Sequence, residues 1–475
     1  MKTLIKNKNT FSKLDNLIIL CDHISLLKML NLSKEEIKFI QKEWRNKESI
    51  ICINQYKRYI YIVNPKKEKN KYTTLENIRL LGSYIQDKIK NLSSIVVIDT
   101  KEDMTNILAI IEGIALSNYT FTKHSSKNNT YKLKTIYLYN KTKLKEIIEL
   151  QNLINAVYLT RDLINEPFSH LKATDLANSA KKSGKKNGFK TTIYNKKKIA
   201  SLKMGGLLAV NKGSLDEPTF TIMEWKPKKP KNKKPIILIG KGIVFDTGGL
   251  SLKPTANSMD IMKVDMGGGG VVIGTMTAIA SNKLNCHVIG LVPATDNRPS
   301  GNAYAPGDVI TMHSGTKVEV LNTDAEGRMI LADALSFAKK YKPELVIDLA
   351  TLTGAAAMAI GPYGIVSMQQ NAEKEHSKLK KTGDEMHERL AEMPFWSDYD
   401  NLIKSEIADI KNIGGKYAGA ITAGKFLAHF TDYPWIHLDI AGPTYVNKKY
   451  GYRGKGATGI GVRLLYKYLK NICDE

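Results

Sequence analysis

Three acidic, glycine-rich segments hold the residues whose types and spacing best suit catalytic chemistry. They are Ile239–Pro254 (with Lys241, Asp246 and Lys253), Met259–Gly270 (with Asp260 and Asp265) and Leu321–Leu335 (with Asp324, Glu326 and Arg328). Each adjoins an apolar stretch, and polar groups that follow buried strands tend to meet at one edge of an α/β sheet. Asp324 and Glu326 are two residues apart, so in extended chain both point to the same side.

Clustered carboxylates repel one another and resist ionisation. Divalent cations reverse that cost, and two cations held about 3.5–4 Å apart by bridging carboxylates can activate one shared water. The alternative is that these acids serve as helix caps and surface salt bridges. That alternative explains any one of them alone better than it explains three segments together.

Other familiar catalytic signals are missing from the sequence. There is no HExxH or GxSxG motif, and the run Gly267–Gly270 does not fit a phosphate-binding loop. The four cysteines form no CxxC pair, which argues against a disulfide framework or a cysteine–zinc site and favours a cytoplasmic protein. His287 and His437 lie in predicted buried strands and His313 in a loop, where we expect structural roles.

Several stretches resemble sequence blocks of the leucyl aminopeptidase (cytosol aminopeptidase) family of two-metal exopeptidases. They are GKGIVFDTGG (240–249), SGNAYAPGD (300–308), NTDAEGR (322–328), DLATLTGA (348–355), NIGG…GAITAG (412–424) and HLDIAGP (437–443). The matches run in order from about Arg161 to Val462, nearly two-thirds of the chain. The first 150 residues resemble the family only in size and α/β character.

The resemblance implies a role for each matching position. One divalent metal ion would be held by Lys241, Asp246, Asp265 and Glu326. The second would be held by Asp246, Asp324 and Glu326, so that Asp246 and Glu326 bridge the two. A lysine ligand must donate from its neutral amine, and a nearby dication together with burial lowers its pKa.

The same resemblance assigns the other site residues. Lys253 would polarise the scissile carbonyl, and Arg328, with backbone groups of Gly327 and Leu352, would hold a bicarbonate ion as general base. The segment between Lys253 and Asp265 is one residue longer than the family pattern, around Ser258, which leaves the path of that loop open.

The resemblance implies a metal-dependent aminopeptidase that removes N-terminal residues from peptides with a free N-terminus, preferring leucine-like residues, in intracellular peptide turnover. Zinc is the implied metal, replaceable by manganese or magnesium in one site, and a homohexamer is the implied assembly. A DNA-binding regulatory protein on the same fold is the alternative. A third possibility is an N-terminal ligand-binding module that only positions the catalytic domain.

Two α/β patterns position these residues. The stretch Ile50–Val63 predicts a pair of strands and Thr105–Leu116 a helix, which indicates a smaller N-terminal α/β domain over 1–150 with an assembly or regulatory role. A connecting helix is expected over 151–170. A larger α/β catalytic domain with a mixed central sheet follows over 171–475.

Charge and hydropathy set the remaining expectations. The chain has 71 basic and 46 acidic residues, and 27 of the basic and 15 of the acidic residues lie in the first 150. This excess permits nucleic-acid binding, but only nine of the basic residues are arginine, the preferred phosphate and guanine ligand, so we do not favour it. The uncharged stretch Leu349–Ala372 contains Pro362 and predicts buried strand and loop rather than a membrane span.

Overall fold

The computed structural model describes residues 3–100, 103–126, 131–140 and 145–474. The chain divides into two compact units. The first comprises Met1–Tyr158 with Lys448–Gly454, and the second comprises Leu159–Asn447 with Lys455–Glu475.

The first unit alternates strands and helices along its chain. Its elements are β1 (Leu4–Lys8), β2 (Leu17–Leu20), α1 (Lys34–Arg45), β3 (Ile50–Asn54), β4 (Tyr59–Val63), α2 (Lys71–Ile89), β5 (Ser94–Asp99), α3 (Met104–Ser117), β6 (Thr135–Tyr139) and α4 (Lys145–Asn165). The boundary between the units falls within α4, and α4 ends two residues before Pro167, where proline disfavours helix in the residue before it.

A six-stranded sheet in the order β1-β6-β5-β2-β4-β3 organises the first unit. All its pairings are parallel except β3 with β4, the pair of strands predicted over Ile50–Val63, which form an antiparallel hairpin. The central strand β2 is buried along its whole length, and its side chains pack into a core with those of β3, β4 and α1.

The second unit contains most of the elements. They are α5 (Ala173–Asn187), β7 (Lys190–Tyr194), α6 (Lys196–Ser201), α7 (Gly205–Asn211), β8 (Thr219–Trp225), β9 (Ile236–Gly240), β10 (Gly242–Asp246), α8 (Gly267–Ser281), β11 (Val288–Asn297), β12 (Val309–Thr311), β13 (Lys317–Glu319), α9 (Glu326–Ala338), β14 (Leu345–Ala350), α10 (Gly354–Ile360), β15 (Ile365–Gln370), α11 (Glu373–Met386), β16 (Leu390–Glu392), β17 (Ile410–Lys411), α12 (Gly419–Ala428), β18 (Trp435–Asp439), β19 (Tyr445–Val446), β20 (Gly456–Ala457) and α13 (Val462–Asp474).

A mixed nine-stranded sheet forms the centre of the second unit. Its order is β16-β15-β18-β14-β9-β11-β8-β7, with β10 paired to β11. The central strands β18, β14, β9 and β11 are parallel, so their carboxyl ends lie at one edge of the sheet. All four are fully buried, as expected for strands covered on both faces.

Helix α9 carries three of the predicted site residues, Glu326, Gly327 and Arg328, and is buried along its whole length. Its apolar side chains join those of α7, β9, β14 and α12 in one core cluster of the second unit. The uncharged stretch Leu349–Ala372 forms the end of β14, then α10 and β15. Among the described residues, no helix has both the length and the apolar character needed to cross a membrane.

A buried carboxylate connects α9 to two neighbouring segments. Asp333 Oδ2 accepts a hydrogen bond from the Leu207 amide at 2.9 Å, and Oδ1 accepts one from the His313 amide at 2.8 Å. Both carboxylate oxygens of Asp333 thus act as acceptors. An asparagine at this position could not replace them, since its amide side chain has only one acceptor oxygen.

We expect Asp333→Asn to lower the free energy of unfolding by about 1–3 kcal/mol, because its NH₂ group would face one of these backbone donors. Ser336→Ala, one turn further along α9, is the matched control. Its hydroxyl donates to the Ala332 carbonyl within the same helix, so its loss should cost clearly less. Urea unfolding followed by fluorescence measures both variants. An equal loss of unfolding free energy in the two would show that the Asp333 hydrogen bonds to Leu207 and His313 contribute no special stability.

Candidate metal centre

The predicted site residues meet at the carboxyl edge of the central sheet. Lys241 lies between β9 and β10, and Asp246 is the last residue of β10. Asp265 lies in a 3₁₀ helix, Met259–Met266, that leads into α8. Glu326 is the first residue of α9, and Asp324 precedes it by two residues. Segments far apart in sequence thus bring four carboxylates and a lysine to one place.

Two lysines pair with these carboxylates. Lys241 Nζ lies 2.8 Å from Asp265 Oδ1 and 2.9 Å from Glu326 Oε1. Lys253 Nζ lies 3.0 Å from Asp246 Oδ2 and also forms an ion pair with Asp324. Lys241 is buried, whereas Lys253 keeps 15% of its side chain exposed, so Lys253 is the one that an arriving molecule can reach.

Two glycines let the backbone come close enough to build the centre. A Cβ on Gly268 would overlap the Leu349 carbonyl oxygen, and a Cβ on Gly327 would overlap the Lys241 side chain. The run Gly267–Gly270 therefore lets the first turn of α8 lie directly against the ends of β9 and β14. Gly327 likewise lets the first turn of α9 cover Lys241.

Asp246 is held in place by two donors. Its Oδ1 accepts hydrogen bonds from the Gly248 amide and from Asn297 Nδ2, each at 2.8 Å. Asn297 also donates to the Thr323 carbonyl at 3.0 Å, so it connects β10 to the turn that carries Asp324. The sequence analysis missed Asn297; its only signal was its place at the end of a long apolar strand.

The turn after β14 supports the other side of the centre. Lys241 Nζ donates to the Thr351 carbonyl at 3.0 Å, and Thr351 Oγ1 donates to Asp265 Oδ1 at the same distance. Thr351 was not singled out from the sequence, although it lies within the DLATLTGA block. Its two contacts orient both members of the Lys241–Asp265 pair.

Arg328 and Leu352 lie beside the carboxylates. Arg328 is buried, one of its NH groups donates to the Asn412 carbonyl at 2.7 Å, and its Nε has no hydrogen-bond partner among the described residues. The Leu352 amide donates to Asp439 at 3.2 Å. Asp439 and Asn412 are supporting residues that the sequence analysis did not identify individually, though both lie in family-like blocks.

The loop around Ser258 has a defined path. The amides of Met259 and Asp260 donate to the carbonyls of Pro254 and Thr255, and Asn257 adopts left-handed backbone with φ 58°. This turn closes just before the 3₁₀ helix. Asp265, which follows this turn, reaches Lys241.

Burial and mutual repulsion shape the electrostatics of the centre. Burial and the neighbouring charge of Glu326 raise the pKa of Asp246 to about 7, against the opposing effect of Lys253. Burial also raises the pKa of Asp265, and that of Asp324. For Glu326 the two lysines outweigh burial, and its pKa is lowered. The carboxylates raise the pKa of Lys241 despite its burial, so it pairs with them as an ammonium ion.

The donor set fits divalent cations. Asp246, Asp265 and Glu326 each offer an oxygen within 4.8 Å of the others, and all three are buried. Asp265 Oδ2 and Glu326 Oε2 have no hydrogen-bond partner among the described residues. The carboxylates resist ionisation beside one another, and a bound divalent cation would remove that cost. Buried oxygen ligands without partners are what hard divalent cations require.

The fold and the site thus define a protein of two α/β units with a buried lysine–carboxylate centre of the kind that holds divalent cations. Residues 158–466 match the sequence model described as the cytosol aminopeptidase family, catalytic domain, and the chain belongs to that family.

Relatives from bacteria show the same similarity. A protein of Chlorobaculum parvum named "Probable cytosol aminopeptidase" is 54% identical over 314 residues, which cover 66% of this chain and 62% of that protein. A protein of Clostridium perfringens with the same name is 40% identical over 416 residues, 84% of each chain. The alignment with the first of these spans less than two-thirds of the relative's length.

Solved structures match over nearly the whole chain. A tomato leucine aminopeptidase mutant superimposes with a TM-score of 0.85 at 27% identity, covering 99% of this chain and 97% of that one. The bottromycin maturation enzyme BotP in complex with Mn also gives a TM-score of 0.85, at 25% identity, covering 97% and 100%. The expected fold class, two α/β domains with a mixed sheet in the larger, is confirmed.

We expect Glu326→Ala to abolish tight binding of Mn²⁺, because Glu326 contacts Lys241 and offers an oxygen within 4.8 Å of those of Asp246 and Asp265. Isothermal titration with Mn²⁺ and elemental analysis of the dialysed protein measure the stoichiometry. Asp260→Ala is the matched control, since Asp260 belongs to the same acidic segment but is exposed. Full Mn²⁺ stoichiometry in Glu326→Ala would show that the metal lies elsewhere.

Proposed function

We propose that this protein is a metal-dependent aminopeptidase that hydrolyses the first peptide bond of peptides with a free N-terminus. The observation that carries the proposal is the convergence of Lys241, Asp246, Asp265, Asp324 and Glu326 in a chain of the cytosol aminopeptidase family. The decisive test is hydrolysis of leucyl amides, with and without a chelator and added Mn²⁺.

The centre would hold two divalent cations. Lys241, Asp246, Asp265 and Glu326 would bind one, and Asp246, Asp324 and Glu326 the other. Zinc or manganese is the proposed metal; oxygen-rich donor sets suit manganese, and the related BotP structure contains Mn. Bound divalent cations supply Lewis-acid polarisation and make water a nucleophile at neutral pH.

Lys241 has to change its partners for this to occur. It now donates to carboxylates as an ammonium ion, and it can offer a lone pair only after losing a proton. Cations that neutralise Asp265 and Glu326 would remove the charge that keeps Lys241 protonated. Its burial then favours the neutral amine.

Lys253 is placed to act on the substrate. Its ammonium group stands at the open side of the centre beside Asp246 and Asp324, and its donors would orient the scissile carbonyl oxygen and stabilise the negative charge that develops there. Burial lowers the pKa of Lys253, but the neighbouring carboxylates outweigh it and raise the pKa, so Lys253 remains charged throughout the physiological range.

A bicarbonate ion that accepts the proton of the attacking water would be bound by Arg328, Gly327 and Leu352. Arg328 has a buried Nε donor without a partner. Gly327 lies in the first turn of α9, where helix amides lack partners within the helix and favour anions. The Leu352 amide would share its hydrogen bond between Asp439 and the anion.

The family and the names of its members suggest the biological setting. We propose cytoplasmic peptide turnover with a preference for leucine-like residues, a homohexameric assembly, and an assembly or regulatory role for the N-terminal domain over 1–150, joined by the connecting helix to the catalytic domain over 171–475. No contact among the described residues favours the DNA-binding alternative.

We expect N-terminal acetylation of a leucyl peptide to prevent its cleavage, because the proposed reaction requires a free α-amine. Chromatography of an otherwise identical pair of peptides, one acetylated and one free, provides the measurement. Efficient cleavage of the acetylated peptide would indicate an endopeptidase or amidase instead.

We expect Arg328→Ala to slow turnover by about 10²–10⁴-fold, the usual contribution of a general base, while the protein keeps its metal. Steady-state kinetics and elemental analysis on the same sample separate the two effects. Loss of metal in this variant would assign Arg328 a structural role as a counter-charge. Arg389→Ala, an exposed arginine on the same unit, serves as the control.

A further inference from the structure

A cluster of fully buried polar side chains lies between β14 and β18, two strands of the sheet whose edge carries the metal centre. Asp348 and His437 are directly paired in the parallel register of these strands. His437 Nδ1 donates to Asp348 Oδ1 at 2.6 Å, and Trp435 Nε1 donates to Asp348 Oδ2 at the same distance. Both carboxylate oxygens of Asp348 therefore accept a hydrogen bond from β18, and its side chain is fixed against His437.

Asp439 belongs to the same buried cluster and connects it to the turn beside the metal centre. It follows His437 by two residues in β18, so its side chain lies on the same face of the sheet. It accepts hydrogen bonds from Thr353 Oγ1 at 2.7 Å and from the amides of Leu352 and Ala441 at 3.2 and 3.1 Å. Asp439 thereby fixes the turn that follows β14.

That turn bears directly on the metal centre. Its Thr351 contacts both Lys241 and Asp265, and its Leu352 amide belongs to the proposed bicarbonate site. Arg328, from α9, interacts electrostatically with both Asp439 and His437. Four ionisable side chains thus extend from the buried sheet to the site: Asp348, His437, Asp439 and Arg328.

His437 influences the pKa of Asp439 and is itself influenced by its neighbours. Its Nε2 is buried and has no hydrogen-bond partner among the described residues, so its hydrogen bonding is directed to Asp348 alone. Burial lowers the pKa of His437, but Asp348 and then Asp439 outweigh that effect and Arg328 opposes them, and the pKa is raised. Burial raises the pKa of Asp439, and the His437 charge opposes the rise.

We infer that His437, held by Asp348 and on the same face of β18 as Asp439, is a positioning residue that fixes the Thr351–Thr353 turn and Arg328 for catalysis. This inference rests on the proposed aminopeptidase function. It assigns His437 a role beyond the structural one expected from its place in a buried strand.

The test uses two variants that remove the cation in different ways. His437→Gln deletes the charge, and Asp348→Asn keeps the imidazole but removes the carboxylate that holds it as a cation. The nearly isosteric Asp348→Asn provides a second test if His437→Gln folds poorly. Leucyl-amide hydrolysis is measured from pH 5 to 10 on the metal-loaded protein, together with metal content by elemental analysis.

Both variants should lower kcat by about 10- to 100-fold, the usual cost of losing a supporting partner of a metal site, with KM changed by less than about threefold. Without the His437 charge the pKa of Asp439 rises further, so Asp439 stays protonated to higher pH. The acid limb of the kcat profile should therefore move to higher pH by at least about half a unit in both variants.

His376→Gln is the matched control. His376 is also buried and contacts a hydroxyl, Ser367 Oγ, at 2.9 Å, with Glu392 3.6 Å away. Ser367 pairs with Leu438, so it faces the opposite side of the sheet from His437. This variant can lose stability, but its kcat and its pH profile should match those of the wild type.

The outcomes separate this inference from the proposed function. An inactive metal-loaded wild type would refute the aminopeptidase proposal itself. An active wild type with unchanged kcat and acid limb in folded His437→Gln or Asp348→Asn would overturn the positioning role. A loss of activity with no movement of the acid limb, or an equal effect in His376→Gln, would reduce His437 to a packing role and overturn it as well.

Discussion

The centre depends on holding four carboxylates together, three of them away from water. Each of Asp246, Asp265 and Glu326 is buried, and such groups resist ionisation unless positive charge lies beside them. Lys241 and Lys253 supply part of that charge, at distances of 2.8–3.0 Å. The remaining imbalance makes cation binding favourable, and it explains why the surrounding backbone is built to bring these side chains so close.

The backbone meets this constraint through the parallel arrangement of the central strands. Chain segments leave β9 and β14 at the same edge of the sheet, so Lys241 and Thr351 come together although they are 110 residues apart. Close approach then requires residues without a side chain. Gly268 lets α8 touch the end of β14, and Gly327 lets α9 begin directly over Lys241. Chemistry and packing thus place demands on the same few positions.

Local sequence patterns predicted several elements of the fold and the convergence of the acidic segments. The hairpin over Ile50–Val63 follows from two short β-branched runs, and the helix over Thr105–Leu116 from apolar spacing; the structure places them at β3–β4 and α3. The acidic segments predicted one site because charged residues that follow buried strands cannot enter the core and therefore gather at the edge of the sheet. The resemblance supplied the roles of Lys253 and Arg328, which their residue types alone leave open.

The supporting residues could not be predicted in the same way, because their contacts depend on strand register. Asp348 lies beside His437 only because β14 pairs with β18 at that offset; a shift of one residue would set Leu349 there instead, with its side chain on the other face. Periodicity shows that both strands are buried but gives no information on the offset. A buried histidine therefore looks structural in the sequence, and its charge becomes relevant only when its neighbours across the sheet are known.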